Sequence, residues 1–317
     1  MATITNTFGT GSAVGNREGL TDKIFDISPF DTPFVSSIGR ISAAAVKHEW
    51  QTDSLAAASD SNAYAEGYDV ELSGFTTTGA TSREENYCQI LIKDVVVSGT
   101  QERVSKAGRT SEMAYQMAKR SKEIRRDLEK IATGNQGYVA SGTRKLRSLE
   151  SWLSTNVNRG DGTTTAGANA TTATAGATDA DTTRAFSEAI LKDVVQQVYS
   201  SGGDPTVLMV GPVNKQVVSG FTGRSSAREN VTVGTISGAA SIYSSDFGDL
   251  SVIPNRFQRD RSAFVLSPEY AKLAFLRDFQ VKPLSMTGDS EKRMLIGEVT
   301  LEMSNEAAHG VAADLNT

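Results

Sequence analysis

Two histidines, one cysteine and a scatter of carboxylates are the groups in this sequence with the means for covalent or acid–base chemistry. His48 alternates with Val46 and Trp50 in a strand-like run, and His309 lies in an AAHG stretch near the C-terminus. A zinc site needs further ligands at recognisable spacing, and no Asp or Glu stands in such a pattern. Cys88 sits in a β-rich run without a second cysteine, so it reads as a small buried hydrophobe rather than a nucleophile. A Ser-His-Asp triad needs no adjacency in sequence, but the G-x-S-x-G elbow that would expose such a serine is absent. Gly9, Gly11 and Gly15 superficially echo a dinucleotide loop, yet no strand precedes them and no helix opens on them. There is no Walker A sequence. No catalytic, cofactor-binding or metal-ligating residue is assigned, and the expectation is a protein that is not an enzyme and needs no cofactor.

Composition narrows the alternatives further. The chain has 317 residues, a length at which one core usually splits into two or acquires long extensions. Its formal net charge is −5, unlike a surface tuned to nucleic acid or to an anionic membrane. With one cysteine it can form no intrachain disulfide, which excludes a disulfide-stabilised secreted fold. The N-terminus has neither the basic nor the apolar region of a signal peptide, and no apolar run is long enough to span a bilayer. A soluble chain made in a cytoplasm is expected.

Several elements must position whatever this chain presents. Val46, His48, Trp50 and Thr52 alternate with charged or amide residues, the period of a half-buried strand, and Tyr87–Val97 is a long β-rich run. Together 43–100 reads as a two-stranded excursion with little core of its own, marginal in water unless it finds a partner. Residues 109–133 form the clearest helix, with Met113, Met117, Ile124, Leu128 and Ile131 in one stripe, Thr110 or Ser111 as cap and Gly134 as stop. At 1.5 Å per residue it is a spine roughly 40 Å long. Its Lys119, Lys122, Arg125, Arg126 and Lys130 are interleaved with acids, which favours a solvated, self-paired face over a phosphate-binding one. Arg147–Leu153 is a short amphipathic helix and 160–182 a Gly/Ala/Thr loop. Asp181 or Thr182 caps a helix ended by Gly202-Gly203, Val207–Val210 is a buried strand, and Pro212 opens a helix carrying Val213, Val217 and Phe221. Helix, strand and helix suggest an α/β unit, with further strands at 242–243, 250–253 and 263–266. Leu273–Leu284 and Arg293–Met303 are long strands joined near Gly288, with a bulge expected at Gly297.

The most unusual segment is 21–40, TDKIFDISPFDTPFVSSIGR. It carries Phe25, Phe30 and Phe34 like a core, yet Pro29 and Pro33 forbid a helix interior and push Ser28 and Thr32 toward extended geometry. After a short helix around Thr21–Phe25, the expectation is a kinked, extended strap whose phenylalanines need a surface to lie on, either of its own chain or of a neighbouring subunit. Phe25, Pro29, Phe30, Pro33, Phe34 and, on the excursion, Trp50 are the expected intersubunit contacts.

This order of elements resembles the major capsid proteins of tailed phages, which share the HK97 fold. Particular words resemble the SU10-type major head proteins: LTDKIFDISPFDTPFVSSIGR at 20–40, NYCQI and VSGTQ within 86–101, DLEK at 127–130, LESWL at 149–153, MVGPVNKQVVSGFTGR at 209–224, IYSSDFGDLSVIPNRFQRDR at 242–261 and EVTLEMSNEAAHG near the end. The resemblance spans nearly the whole chain and implies an α+β fold. It implies an N-arm (1–40), an extended E-loop hairpin (41–104), a P-domain in two parts (105–182, with the spine helix, and 276–317, with the long strands) and an α/β A-domain (183–275). It also implies self-assembly into pentamers and hexamers of an icosahedral head enclosing double-stranded DNA without sequence-specific recognition. Assembly in the host cytoplasm, and scaffolding, portal and decoration proteins as further partners, belong to the same expectation. An encapsulin-like compartment shell is the same-fold alternative, and a nucleic-acid-binding module using the spine helix is the alternative of another class.

Overall fold

In a computed structural model, the structure describes residues 28, 29, 31–63, 66, 79–160, 164, 166, 167, 175–221 and 241–316. The glycines at 9, 11 and 15, Phe25, Phe30 and residues 161–163, 165 and 168–174 of the 160–182 loop lie outside the described residues.

The chain enters through a short helix α1 (Pro33–Ser37) and strand β1 (Gly39–Ser42). Strands β2 (Lys47–Thr52) and β3 (Ser82–Tyr87) pair antiparallel, with His48, Trp50 and Thr52 on the half-buried face as the alternation predicts. The run after Tyr87 does not continue that hairpin. It breaks at Cys88, and β4 (Gln89–Ser98) leaves to pair with a different strand. The two-stranded excursion is therefore shorter than the sequence pattern suggests. The cause is that Leu91, Val95 and Val97 bury apolar side chains, whereas the buried residues of 82–87 are Glu84, Glu85 and Asn86, which are polar.

A short helix α2 (Gly99–Arg103) leads to the spine, α3 (Glu112–Ala132). Its 21 residues span about 32 Å, somewhat less than expected, because Ser111 rather than an earlier residue caps it, accepting from the Ala114 N–H at 3.2 Å. Met113, Ile124 and Leu128 are buried and Met117 and Ile131 partly so, as one stripe. Helix α4 (Leu149–Trp152) and strand β5 (Val157–Asn158) follow.

Helix α5 (Glu188–Ser200) starts later than the Asp181/Thr182 cap predicts. Ser187 caps it, and the preceding chain is instead bridged to the C-terminus, Arg184 beside Leu315. Gly202, at φ +87°, ends it, a conformation that disfavours any side chain. Strand β6 (Val207–Val210) is wholly buried, and α6 (Pro212–Ser219) follows with Pro at its first turn. That helix buries Asn214 and Val218 and leaves Val213 and Val217 outward, the reverse of the face expected. Strands β7 (Ile242–Ser245), β8 (Gly248–Pro254) and β9 (Ala263–Leu266) close this region, and β10 (Ala271–Pro283), β11 (Ser290–Met303) and β12 (Gly310–Ala312) end the chain.

Two main sheets result. A four-stranded sheet has the order β1-β10-β11-β4, and a six-stranded one the order β5-β12-β9-β6-β8-β7. The α/β unit thus recruits β5 and β12 from outside 183–275, so the last residues serve both sheets. The irregularity expected at Gly297 lies in the opposite strand. The β10–β11 register shifts twice between Phe275 and Gln280, while Leu295, Gly297 and Val299 stay in phase. Gly297 is small because Phe279 lies over it: a Cβ there would stand 2.5 Å from the ring. One apolar core runs between the sheets, joining Met209 and Phe264 to Leu273, Val299 and Leu301, with Ile124 and Leu128 of α3 beside them.

Candidate assembly interface

The root of the N-terminal segment is built differently from an extended strap. Pro33 occupies the first turn of α1, the one helical position where a missing N–H costs nothing and the fixed φ is already right. The turn points Phe34 into the protein, where it is fully buried with Val35 and Ile38 in the chain's own core. Glu129 of the spine fixes it: its two carboxylate oxygens accept from the Phe34 and Val35 N–H groups, each at 2.8 Å, and Asn255, just past β8, donates to the same carboxylate at 2.6 Å. Phe34 therefore has no surface left for a neighbour, and Pro33 starts a helical turn instead of holding the chain extended. Both depart from the expectation for the same reason, that a proline at the first turn permits a helix. Burial pushes the Glu129 carboxyl above its ordinary range, opposed by those three donors. Pro29 is half-buried, its carbonyl 3.4 Å from Nη1 of Arg126 on the spine.

The hairpin root is also held by its own chain. Trp50 is half-buried, its ring 5.4 Å from that of Trp152 and 5.7 Å from His48. His48 Nε2 lies 2.6 Å from Glu302 of β11. Burial alone would raise that carboxyl, but the hydrogen bonds from His48 and Ser304 outweigh it and hold it low. Opposite Trp50, Glu84 is buried near Arg147, and the Arg147 guanidinium stacks 3.9 Å over Trp152. Burial lowers Arg147 to about 10, against the opposing pull of Glu84. A second buried carboxylate, Glu150, accepts from Arg159 at 2.9 Å, Arg259 at 2.7 Å and Ser262 at 2.8 Å. Glu129, Arg147 and Glu150 were not singled out from sequence. The only cue was a charged residue beside an apolar stripe, which many surface residues share.

The remaining titratable groups are arranged for structure. Cys88 is fully buried and burial pushes its thiol up to about 11. His309 is fully buried; burial drives it down to about 4, and its Nδ1 accepts from the Ser267 N–H at 3.3 Å. Among the described residues no group of three or more His, Cys, Asp or Glu is placed to hold a metal ion, and no helix is long and apolar enough to cross a membrane. Two of the spine's cations are engaged within the chain: Arg120 with Glu123 at 2.6 Å, and Arg126 over the Phe257 ring. What the surface offers instead is apolar: Ile90, Ile92 and Val96 on β4, Val213 and Val217 on α6, and Ile242 on β7.

The family model for the SU10 major capsid protein matches residues 3–316. The chain belongs to the SU10 major capsid protein family. The major capsid protein of Escherichia phage Phieco32 is 28% identical, over 94% of this chain and 94% of that protein. The solved cyanophage A-1(L) capsid superposes with a TM-score of 0.69 at 10% identity, covering 99% and 100% of the two chains. A structure from Mycobacterium phage Adephagia gives 0.62 at 12% identity over 100% and 99%. The fold is thus α+β of the HK97-like capsid kind. As a major capsid protein, this SU10-family chain is a structural component of the virion shell and associates with copies of itself into capsomers.

Proposed function

We propose that this SU10-family subunit closes into pentamers and hexamers, and these into an icosahedral head around double-stranded DNA, with no catalytic step of its own. The observation that carries the reading is the family match along 3–316 on a chain whose root elements are locked down while its apolar β4 face stays open. In this reading 1–40 is the arm, 41–104 the extended hairpin, 105–182 and 276–317 the peripheral domain, and 183–275 the axial domain. Pro29 and the undescribed Phe25 and Phe30 reach neighbours, Trp50 contributes the exposed part of its ring, and Phe34 anchors the arm to its own spine. Many weak contacts become cooperative when each subunit straps several others. A net charge of −5 suits a wall that contains DNA without condensing it. Scaffolding, portal and decoration proteins are the further partners, and the host cytoplasm is where assembly takes place. Electron microscopy of the expressed chain, alone and with its phage's other head proteins, tests this. Closed shells are expected, and a stable monomer under every condition would overturn it.

A further inference from the structure

The spine helix α3 has two faces of different character. Met113, Met117, Ile124, Leu128 and Ile131 form its buried stripe. At roughly 100° per residue, Lys119, Arg125 and Lys130 fall within about 140° of one another on the side away from that stripe, and all three are exposed. Interleaved acids would neutralise them by pairing along the helix, but folding commits those acids elsewhere. Glu112 holds Arg109, Glu123 takes Arg120 at 2.6 Å, Asp127 takes Lys93 at 2.6 Å, and Glu129 accepts from the Phe34 and Val35 N–H groups. A loop distant in the chain adds to this face. Asn255 donates to Glu129 and the Phe257 ring lies under Arg126, with the exposed Arg256 between them. Lys119, Arg125, Lys130 and Arg256 make no hydrogen bond or ion pair among the described residues. The acids nearby are the exposed Asp31, two residues on from the Pro29 carbonyl at Arg126, and Asp179, which Arg259 holds, so the face stays net positive.

We propose that this face meets the phosphate backbone of the enclosed duplex without reading its bases. The inference rests on the capsid reading above and adds which surface of the subunit the DNA touches. Phosphate is the chemistry that suits cations left without acids over about 16 Å of helix, with Arg256 beside them. A duplex presents one charge per about 1.7 Å of axis, so phosphates lie within reach of the face whatever the sequence or register. The flanking rings, Tyr115 and Phe257, lie under Arg109 and Arg126, which leaves cations rather than a stacking platform as the contact. A chain of net charge −5 otherwise repels DNA, so contact is confined to a few exposed charges that salt screens. Such contact holds the duplex loosely at the wall and lets it slide.

Binding of the full-length subunit to a random-sequence duplex, followed by fluorescence anisotropy through a salt series, tests this. The log–log salt slope is expected to be about −3.6, four phosphates at about −0.9 each, a loss on the order of a hundredfold between 50 and 200 mM. Lys119→Gln, Arg125→Gln, Lys130→Gln and Arg256→Gln combined should weaken low-salt binding on the order of a hundredfold, with the subunit's Tm unchanged. The milder pair Lys119→Gln and Arg125→Gln should flatten the slope by about 1.8. As a charge-matched control, Gln at the exposed Arg83, Arg103, Lys145 and Lys282 should leave most of the affinity. An equal loss in the control, or no binding at low salt, would overturn the proposal. So would tighter binding of polyglutamate than of the duplex, which would assign the face to an acidic protein segment. Shells that close while the subunit ignores the duplex overturn this inference alone. Failure of the unsubstituted chain to form shells with its phage's head proteins would instead sink the capsid reading beneath it.

Discussion

The side chains with the greatest energetic stake here are buried ones that hold surface elements down. Phe34 is the clearest: read in sequence as a neighbour's anchor, it is fully enclosed by its own subunit. Phe34→Ala is expected to cost about 3–5 kcal/mol of subunit stability, the usual range for emptying such a site. Urea unfolding of the unassembled subunit checks this; a loss in particle yield with no loss in stability would return Phe34 to the interface. His309 makes a prediction about acid. Its ordinary pKa of 6.5 falls to about 4 in the folded state, so between those values the unfolded chain binds the extra proton. The contribution is complete above about pH 6.5 and is lost as pH falls toward 4, by about 3 kcal/mol at 1.36 kcal/mol per pKa unit. Buried Glu129 and Glu84, whose carboxyls are raised, act in the opposite sense, so a comparison with His309→Asn isolates the histidine. The asparagine can still accept from the Ser267 N–H. The stability gap between the two proteins should shift in the variant's favour as pH falls from 7 to 4, and a gap independent of pH would rule the mechanism out.

Among the elements, the long β10–β11 pair is where local pattern and packing diverge. Gly297 invites the reading of a bulge, because glycine in a strand often marks one. The register places the extra residues in β10, and the glycine is required by the Phe279 ring lying on its Cα. Gly297→Ala should therefore destabilise by about 1–3 kcal/mol through overpacking. In a Phe279→Ala background the added methyl should cost little, and a thermal-melt double-mutant cycle showing simple additivity would contradict the contact. The spine helix, β6 and α6 were legible because long apolar periodicity, a proline start and a glycine stop act locally. The partition of 82–98 between two sheets was not. Both halves are β-rich, and only the presence of a core under Leu91 and Val95 separates them.

For the whole subunit, one apolar core runs between the two sheets and takes in Phe34 and the spine helix, and a second, under α5 and α6, shares the six-stranded sheet with it. Unassembled subunits should thus unfold in a single thermal transition seen alike by calorimetry and by tryptophan fluorescence from Trp50 and Trp152. Two separated transitions would show that the A-domain-like and P-domain-like regions are independent. The sequence by itself determined the class of molecule. It carries long appendages along with family words across nearly its full length. Those properties reside in residue type and order, which need no folding to be read. Which residues of the arm face inward was decided only by tertiary structure. Pro33 is compatible with both an extended strap and a first helical turn. The choice falls to Glu129, ninety-five residues away from Phe34 in sequence, whose carboxylate is in place only once the spine is folded. The same holds for β12, whose three residues join the six-stranded sheet because Val311 meets Phe264 across it. Interactions between segments far apart in the chain set these outcomes, and no local pattern encodes them.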